Sequence, residues 1–129
     1  MAIEPKRILV IDDEPGITMM MKLNLEKSGR YTVQTQNDSL TALDTVRAFQ
    51  PELILLDIVM PGKDGGELLT ELQADEQLKT IPVIFLTATM TAHAVEVRKG
   101  TIRGVPIIAK PVEPKKLIQR IEEVLRQQR

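Results

Sequence analysis

The sequence predicts an α/β domain built on a five-stranded parallel sheet with helices on both faces. Short, almost wholly apolar runs, of which L-I-L-L at 53–56 is the most apolar, alternate with segments whose apolar residues recur at helical spacing. Runs that are apolar throughout are typical of parallel strands covered on both faces. Since five strand-helix units follow one another with short connections, a doubly wound sheet with right-handed crossovers is expected.

Apolar and β-prone runs predict five strands, at 6–11, 31–35, 53–56, 83–86 and 106–109. The second of these segments is β-prone but polar, which favours an edge of the sheet, whereas the third is expected at its centre. Pro106 lacks a backbone N–H, so it belongs at an edge or at the start of a strand.

Helical periodicity predicts five helices, the fourth of them weakly patterned. They are expected at 15–28 before a stop at Gly29, from a cap at Asp38 or Ser39 to about 49, from Asp64 through 72, at about 92–99, and from Pro114 onward. Apolar residues expected to face the sheet are Ile17, Met20, Met21 and Leu25, then Leu40, Leu43 and Val46, then Leu68, Leu69 and Leu72, and finally Leu117, Ile118, Ile121, Val124 and Leu125.

Composition excludes several classes of protein. A length of 129 residues suits one domain, 1–129, whose polar end at 126–129 would suit the start of a linker. The net charge of −1, with one Tyr, two Phe and no Trp, argues against nucleic-acid binding by this domain. The absence of cysteine excludes disulfides and thiolate metal sites. The chain has neither an apolar run long enough for a membrane span nor a signal-peptide pattern, so a cytoplasmic protein is expected.

Polar residues follow four of the predicted strands at their carboxyl ends. Asp12 and Asp13 follow the first strand, Asp57 the third, Thr87 the fourth and Lys110 the fifth. Ligands of open parallel sheets bind beyond the carboxyl ends of the strands, where the strand order switches. With the common doubly wound order 2-1-3-4-5, all five residues are expected to meet in one crevice.

The residue types in this crevice indicate a metal ion and a phosphoryl group. Three carboxylates repel one another unless a cation joins them or they share a proton. Oxygen ligands favour a hard cation, and Mg²⁺, or Mn²⁺ in its place, binds through carboxylates, phosphate oxygens and water. A lysine and a threonine beside the ion suit a phosphoryl group, because the lysine supplies positive charge and the hydroxyl donates a hydrogen bond.

The chain resembles the receiver domain of bacterial response regulators over almost its full length. The resemblance is carried by four segments, I-L-V-I-D-D-E-P at 8–15, L-I-L-L-D-I-V-M-P-G-K-D-G at 53–65, P-V-I-F-L-T-A at 82–88 and A-K-P at 109–111. It implies a flavodoxin-like fold and two-component signalling. The expected phosphodonor is a histidine kinase or a histidine phosphotransfer protein, and the output domain or target protein is unknown.

The resemblance also implies a role for each acidic residue of the crevice. Asp57 would be the phosphoacceptor, a carboxylate nucleophile that forms an acyl phosphate, and would also be a ligand of Mg²⁺. Asp13 would bind the ion directly, and Asp12 directly or through water. The main-chain carbonyl of Val59 would be a further ligand.

Thr87 and Lys110 would hold the phosphoryl oxygens, and the Lys110–Pro111 peptide bond would be cis, as it usually is in the family. Val59 and Thr89, two residues after the phosphoacceptor and two after the threonine, would flank the path of an attacking water. Val59 has no hydrogen-bonding side chain and Thr89 has only a short hydroxyl. Slow self-dephosphorylation is therefore expected, in a domain that acts as a switch rather than an enzyme.

The residues that differ from the family pattern lie together on one face, which would carry the switch and bind the output partner. Ile107 stands where the family often has an aromatic residue that turns inward on phosphorylation. The turn G-T-I-R-G-V at 100–105 and Val112 also depart from the family pattern. Ile107 and Thr89 are the residues predicted on this face. The sequence therefore predicts the phosphoryl chemistry but leaves open how phosphorylation would change the face.

Other interpretations of the same residues remain open. A haloacid-dehalogenase-type phosphohydrolase also uses an aspartate nucleophile and Mg²⁺, but its D-x-D pattern would require an aspartate where this chain has Glu14. A flavodoxin-type flavin binder needs a hydroxyl- and glycine-rich loop where this chain has D-D-E-P. An alternative role for Asp12 and Asp13 is to cap the first helix, although one acid suffices for a cap. Asp64 is expected to cap a helix, and His93 to face solvent.

Overall fold

The computed structural model of the protein describes residues 4–88 and 101–128. Within them, six strands and four α-helices follow one another. The elements are β1 (Lys6–Ile11), α1 (Pro15–Glu26), β2 (Tyr31–Gln36), a 3₁₀ turn (Ser39–Thr41), α2 (Ala42–Phe49), β3 (Leu53–Asp57), α3 (Gly65–Ala74), β4 (Val83–Thr87), β5 (Thr101–Ile102), β6 (Val105–Ala109) and α4 (Pro114–Arg126). None of these helices is long and apolar enough to cross a membrane.

The strands form one sheet in the order β2-β1-β3-β4-β6-β5. The first five strands in this order pair in parallel, so the predicted α/β class is confirmed, with β6 as the fifth predicted strand. The apolar β3 lies inside the sheet and is buried along its whole length, while the more polar β2 lies at an edge. Both positions agree with the sequence-based expectation.

The sheet has one strand more than the five predicted. The two-residue strand β5 pairs antiparallel with the start of β6 and so extends the sheet beyond it. Arg103 and Gly104 form the connecting turn with φ values of 55° and 76°, the left-handed geometry of a tight hairpin. Periodicity cannot reveal a strand of two residues, and the Arg-Gly dipeptide was the available sequence signal.

Helices cover both faces of the sheet, and this explains why the central strands are apolar throughout. Alternate residues of a strand point to opposite faces. In β3, Ile54 and Leu56 therefore pack in the cluster with α2 and α3, while Leu53 and Leu55 pack in the cluster with α1 and α4. Both faces of the sheet are dry, and the carboxyl ends of the strands are left to form a site.

Two of the residues expected to face the sheet, Met20 and Leu40, are exposed, at 57% and 66%. Met21 and Leu25 occupy the buried side of α1, and Met20 falls outside that arc. Leu40 lies in the 3₁₀ turn, which shifts the phase of the segment before α2 begins. Ser39 is buried there instead, and its hydroxyl donates to the carbonyl of Pro61 at 2.8 Å. The other predicted inward residues are buried or half-buried.

The predicted cap of the second helix, at Asp38 or Ser39, is only partly confirmed. The carboxylate of Asp38 accepts a hydrogen bond from the N–H of Leu40 at 2.9 Å and so caps the 3₁₀ turn, whereas α2 itself follows Thr41 without a side-chain cap. The predicted fourth helix at 92–99, together with His93, lies outside the described residues.

Candidate functional site

Three acidic side chains meet at the carboxyl ends of β1 and β3. Asp12 and Asp13 follow β1 directly, and Asp57 is the last residue of β3, the neighbouring strand. Each offers a carboxylate oxygen that lies within 4.8 Å of those of the other two. Asp12 and Asp57 are 0% and 5% exposed, whereas Asp13 is partly open to solvent. The structure thus brings together the carboxylates that the sequence assigns to one crevice.

Lys110 follows β6 and reaches two of these carboxylates. Its Nζ lies 2.5 Å from Oδ2 of Asp12 and 3.5 Å from Oδ2 of Asp57. Thr87 ends β4 beside it, because the N–H of Lys110 donates to the carbonyl of Thr87 at 2.7 Å. Thr87 is 1% exposed. Four neighbouring strands therefore deliver all five predicted residues to one edge of the sheet.

The crevice raises the pKa of Asp57 from 3.8 to about 6. Burial disfavours the charged carboxylate, and the negative charge of Asp12 adds to the effect. The charge of Lys110 and a long hydrogen bond of 3.4 Å from the N–H of Val59 to Oδ1 act in the opposite direction. At neutral pH Asp57 is therefore mainly ionised, but its charge is poorly solvated.

The donor set of the crevice fits a divalent cation. Burial disfavours the charged form of Lys110, but the hydrogen bond and charge of Asp12, with the charges of Asp57 and Glu14, hold the pKa of Lys110 above its usual value. Among the described residues, the crevice holds three carboxylates and one ammonium group, so negative charge is in excess there. A cluster of carboxylate oxygens with excess negative charge is suited to a hard ion such as Mg²⁺ or Mn²⁺.

Asp12 and Asp13 do not cap α1, so the helix-cap alternative is wrong. Glu14 is the residue at the N-cap position, and no side chain caps the helix there. Oδ1 of Asp12 instead accepts a hydrogen bond from the N–H of Glu14 at 3.0 Å, while its Oδ2 contacts Lys110. Both carboxylate oxygens of Asp12 are thereby held in place.

The loop between β3 and α3 packs closely against the backbone of Asp57. The N–H of Gly65 donates to the carbonyl of Ile58 at 2.7 Å. A Cβ at Gly65 would lie 2.4 Å from the carbonyl oxygen of Asp57, so this position requires glycine. Asp64 caps α3 in a capping box with Glu67, which confirms the expected role of Asp64.

The remaining predicted site residues have different surroundings. Val59 is 57% exposed, and its N–H lies 3.4 Å from Oδ1 of Asp57. The Lys110–Pro111 peptide bond is cis. Ile107 is 3% exposed and packs in the core beside Phe85, so it cannot contact a partner directly in this conformation. Its part in a switch stays a prediction, and Thr89 lies outside the described residues.

The sequence analysis missed the contacts that two polar residues after β2 make with the loops after β1 and β3. Asn37 donates from Nδ2 to the carbonyl of Asp12 at 2.8 Å, and Ser39 both donates to Pro61 and accepts from the N–H of Lys63 at 3.2 Å. Both follow β2 in the segment N-D-S, where local patterning predicts only a helix cap, at Asp38 or Ser39. Their position beyond the carboxyl end of a strand was the signal that could have found them.

Comparison with known proteins gives consistent matches. The response regulator receiver domain family matches residues 8–122. Response regulator Rre1 from Synechocystis sp. is 33% identical over 127 residues, which cover 97% of this chain and 54% of Rre1. The polar-differentiation response regulator DivK from Brucella anthropi is 34% identical over 122 residues, which cover 94% of this chain and 97% of DivK.

Solved structures agree with these matches. The chemotaxis protein CheY4 from Vibrio cholerae superimposes with a TM-score of 0.78 at 26% identity, covering 93% of this chain and 98% of CheY4. A putative response regulator from Chloroflexus aurantiacus J-10-fl gives a TM-score of 0.81 at 28% identity, covering 95% of this chain and 98% of that protein.

The chain spans about half the length of the first curated relatives that it matches, 54% of Rre1 and 51% of the DNA-binding response regulator MtrA from Mycolicibacterium smegmatis. The matched region, the doubly wound sheet and the acidic crevice at its carboxyl edge all lead to one assignment. The chain belongs to the response regulator receiver domain family and is a receiver domain of two-component signalling.

Proposed function

We propose that the chain takes a phosphoryl group onto Asp57 from the phosphohistidine of a histidine kinase or histidine phosphotransfer protein, and that this switches a partner-binding face. The observation that supports the proposal most strongly is the arrangement around Asp57. A buried carboxylate with a raised pKa lies next to two further carboxylates and 3.5 Å from a lysine ammonium. A structural ion pair would need one carboxylate for one lysine, whereas the excess of acid suits a metal ion, and this ion together with Lys110 would attract a phosphoryl group.

The chemistry requires little from the protein beyond position and charge. An oxygen of Asp57 forms a bond to phosphorus while the phosphorus–nitrogen bond of the phosphohistidine breaks, and the electron pair leaves with the imidazole. Lys110, which has a raised pKa, supplies a fixed positive charge for the phosphoryl oxygens. Thr87, buried at the end of β4 next to Lys110, would supply a hydroxyl.

A divalent cation completes the charge balance of the crevice. Asp12, Asp13 and Asp57 would hold it with their carboxylates, and Val59 with its main-chain carbonyl. When bound, Mg²⁺ or Mn²⁺ neutralises charge that develops on the phosphoryl oxygens. Lys110 now pairs with Asp12 more closely than with Asp57, so a cation at Asp12 would free the lysine for the phosphoryl group.

Exposed apolar side chains beside the crevice support docking of a protein phosphodonor. Met19, Met20 and Leu23 form an apolar outer face on α1 and are 54%, 57% and 57% exposed. Next to it, a groove of about 460 Å³ runs between α1 and the segment after β6, and Met20, Lys110 and Pro111 are among its lining residues. A partner seated there would bring its phosphohistidine to the crevice, where Lys110 offers a positive charge.

We propose that the protein acts in the cytoplasm and that its acyl phosphate is long-lived. Hydrolysis of the acyl phosphate needs a water in line with the phosphorus–oxygen bond, and an acceptor that orients this water speeds its attack. Val59, two residues after Asp57, has an apolar side chain that cannot hydrogen-bond to such a water and so would not activate it. Slow self-dephosphorylation follows from this.

The proposal is tested by exposing the purified protein to a small phosphodonor such as acetyl phosphate, with and without Mg²⁺. Intact-mass spectrometry should show one added acid-labile phosphoryl group that depends on the metal. Asp57→Asn should remove the labelling, because an amide is a poor nucleophile. Asp64→Asn, which changes the cap of α3 in the adjoining loop, is the matched control and should label normally. Normal labelling of Asp57→Asn would contradict the proposal.

A further inference from the structure

Asn37 connects the loop after β1 with the end of β2. It follows β2 directly, and its Nδ2 donates to the carbonyl oxygen of Asp12 at 2.8 Å and to Oγ1 of Thr18 at 3.0 Å. Neither contact is local in the chain, because Asp12 and Thr18 lie 25 and 19 residues away. One amide group thus links the acidic loop, the first turns of α1 and the end of the edge strand.

The contact with Asp12 continues the β1–β2 hydrogen-bond ladder beyond its last backbone pair. The paired residues end at Ile11 and Gln36, and the N–H of Asp12 donates to the carbonyl of Gln36 at 3.1 Å. The next acceptor on this side is the carbonyl of Asp12, which receives the side-chain amide of Asn37 in place of a backbone N–H. Both polar groups of the Asp12 backbone are therefore bound to the β2 side.

This arrangement fixes the peptide unit that joins Asp12 to Asp13. The peptide bond is planar, so holding the carbonyl of Asp12 also sets the direction in which the chain enters Asp13. Among the described residues, the carboxylate of Asp13 makes no hydrogen bond or ion pair of its own, in contrast to that of Asp12. The orientation of Asp13 toward the crevice therefore depends on its backbone.

We propose that Asn37 is a positioning residue of the metal site, which holds the Asp12–Asp13 peptide so that the carboxylate of Asp13 faces the ion. The inference rests on the proposed binding of Mg²⁺ by the acidic crevice. Groups that orient metal ligands commonly change metal affinity by tenfold or more when they are removed. Loss of the single donor at Asn37 should accordingly weaken Mg²⁺ binding by about tenfold.

A purely structural role for Asn37 would act through Thr18. This threonine is 2% exposed, and its hydroxyl donates to the carbonyl of Pro15 at 3.1 Å while it accepts from Asn37. If Asn37 only tethers α1, removing the hydroxyl of Thr18 should have the same effect on the protein as removing the amide. Thr18→Val is therefore the matched control, because it keeps the contact between Asn37 and Asp12.

The experiment is isothermal titration calorimetry of the full chain with Mg²⁺, together with urea unfolding without metal. Asn37→Ala should raise the dissociation constant for Mg²⁺ about tenfold, while Thr18→Val should lower stability and bind Mg²⁺ as the wild type does. Asn37→Ser, too short to reach both acceptors, gives the same test if the alanine variant folds poorly. Phosphorylation of Asn37→Ala by acetyl phosphate should return to the wild-type rate at high Mg²⁺ concentration.

Three outcomes overturn the inference, and each is distinguishable from the others. If the wild type binds Mg²⁺ and both Asn37 variants bind it equally well, Asn37 has no positioning role and the proposed metal site stands. If Thr18→Val loses as much affinity as Asn37→Ala, the effect runs through α1 rather than through the carbonyl of Asp12. A wild-type chain that does not bind Mg²⁺ would instead contradict the proposed function, and this inference with it.

Discussion

Replacing Asp57 by asparagine should make the metal-free protein more stable at neutral pH, although it removes the proposed phosphoacceptor. In the folded protein, burial and the charge of Asp12 raise the pKa of Asp57 to about 6. The unfolded chain has no such environment, so its carboxyl titrates near the usual value of 3.8. An ionised Asp57 therefore opposes folding, and the neutral amide of asparagine does not carry that cost.

The sign and size follow from proton linkage. Between pH 3.8 and about 6 the folded state binds more protons than the unfolded one, so this group's contribution to stability falls as pH rises. Above that range the penalty reaches about 3 kcal/mol, since one pKa unit corresponds to ~1.4 kcal/mol. Asp57→Asn should recover about 1 to 3 kcal/mol at neutral pH and almost none below about pH 4, where the wild-type carboxyl is protonated.

The assay is urea unfolding of both proteins in a chelating buffer across this pH range. Asp75→Asn is the control with the opposite sign, because a hydrogen bond from Arg47 at 2.8 Å, with one from the N–H of Gln77, lowers the pKa of Asp75. That variant should lose stability at neutral pH. An Asp57→Asn variant that is less stable than the wild type at neutral pH, or whose gain in stability persists unchanged in acid, would contradict a raised pKa as the cause.

Three further predictions concern the metal, the lifetime of the signal and the packing of the loop. Asp13→Ala should abolish Mg²⁺ binding in calorimetry and metal-dependent labelling with little loss of stability, because no hydrogen bond among the described residues depends on its carboxylate. Val59→Asn combined with Thr89→Glu should speed decay of the isolated phosphoprotein about tenfold, which is ~1.4 kcal/mol of barrier, and equal rates would show that these positions do not gate water. Gly65→Ala should lower the free energy of unfolding, measured in urea, by about 1 to 3 kcal/mol, because its Cβ would meet the carbonyl oxygen of Asp57 at 2.4 Å.

The architecture could be predicted from the sequence wherever a hydrophobic pattern is compatible with only one arrangement of strands and helices. Runs such as 53–56 can be buried on both sides only in a sheet covered by helices, and the structure confirms that position. The predicted meeting of Asp12, Asp57 and Lys110 followed from strand order, since parallel strands end at the same edge.

What escaped prediction depends on contacts between distant residues. Leu40 is exposed because it lies in a 3₁₀ turn in which Ser39 is the buried residue. A hydrogen bond from Ser39 to the carbonyl of Pro61 holds the turn in this orientation. The link from Asn37 to Asp12 crosses 25 residues, so no local pattern contains it. Similarly, the preference of Lys110 for Asp12 over Asp57 is decided by distances that only the folded chain defines.

The most direct test of the central claim is to locate the phosphoryl group. The protein is phosphorylated with a small phosphodonor and Mg²⁺, digested under conditions that preserve acyl phosphates, and mapped by tandem mass spectrometry. The expected result is a single modified residue, Asp57, at the end of β3. A phosphoryl group found on Asp12, Asp13 or a hydroxyl side chain, with Asp57 unmodified, would contradict it.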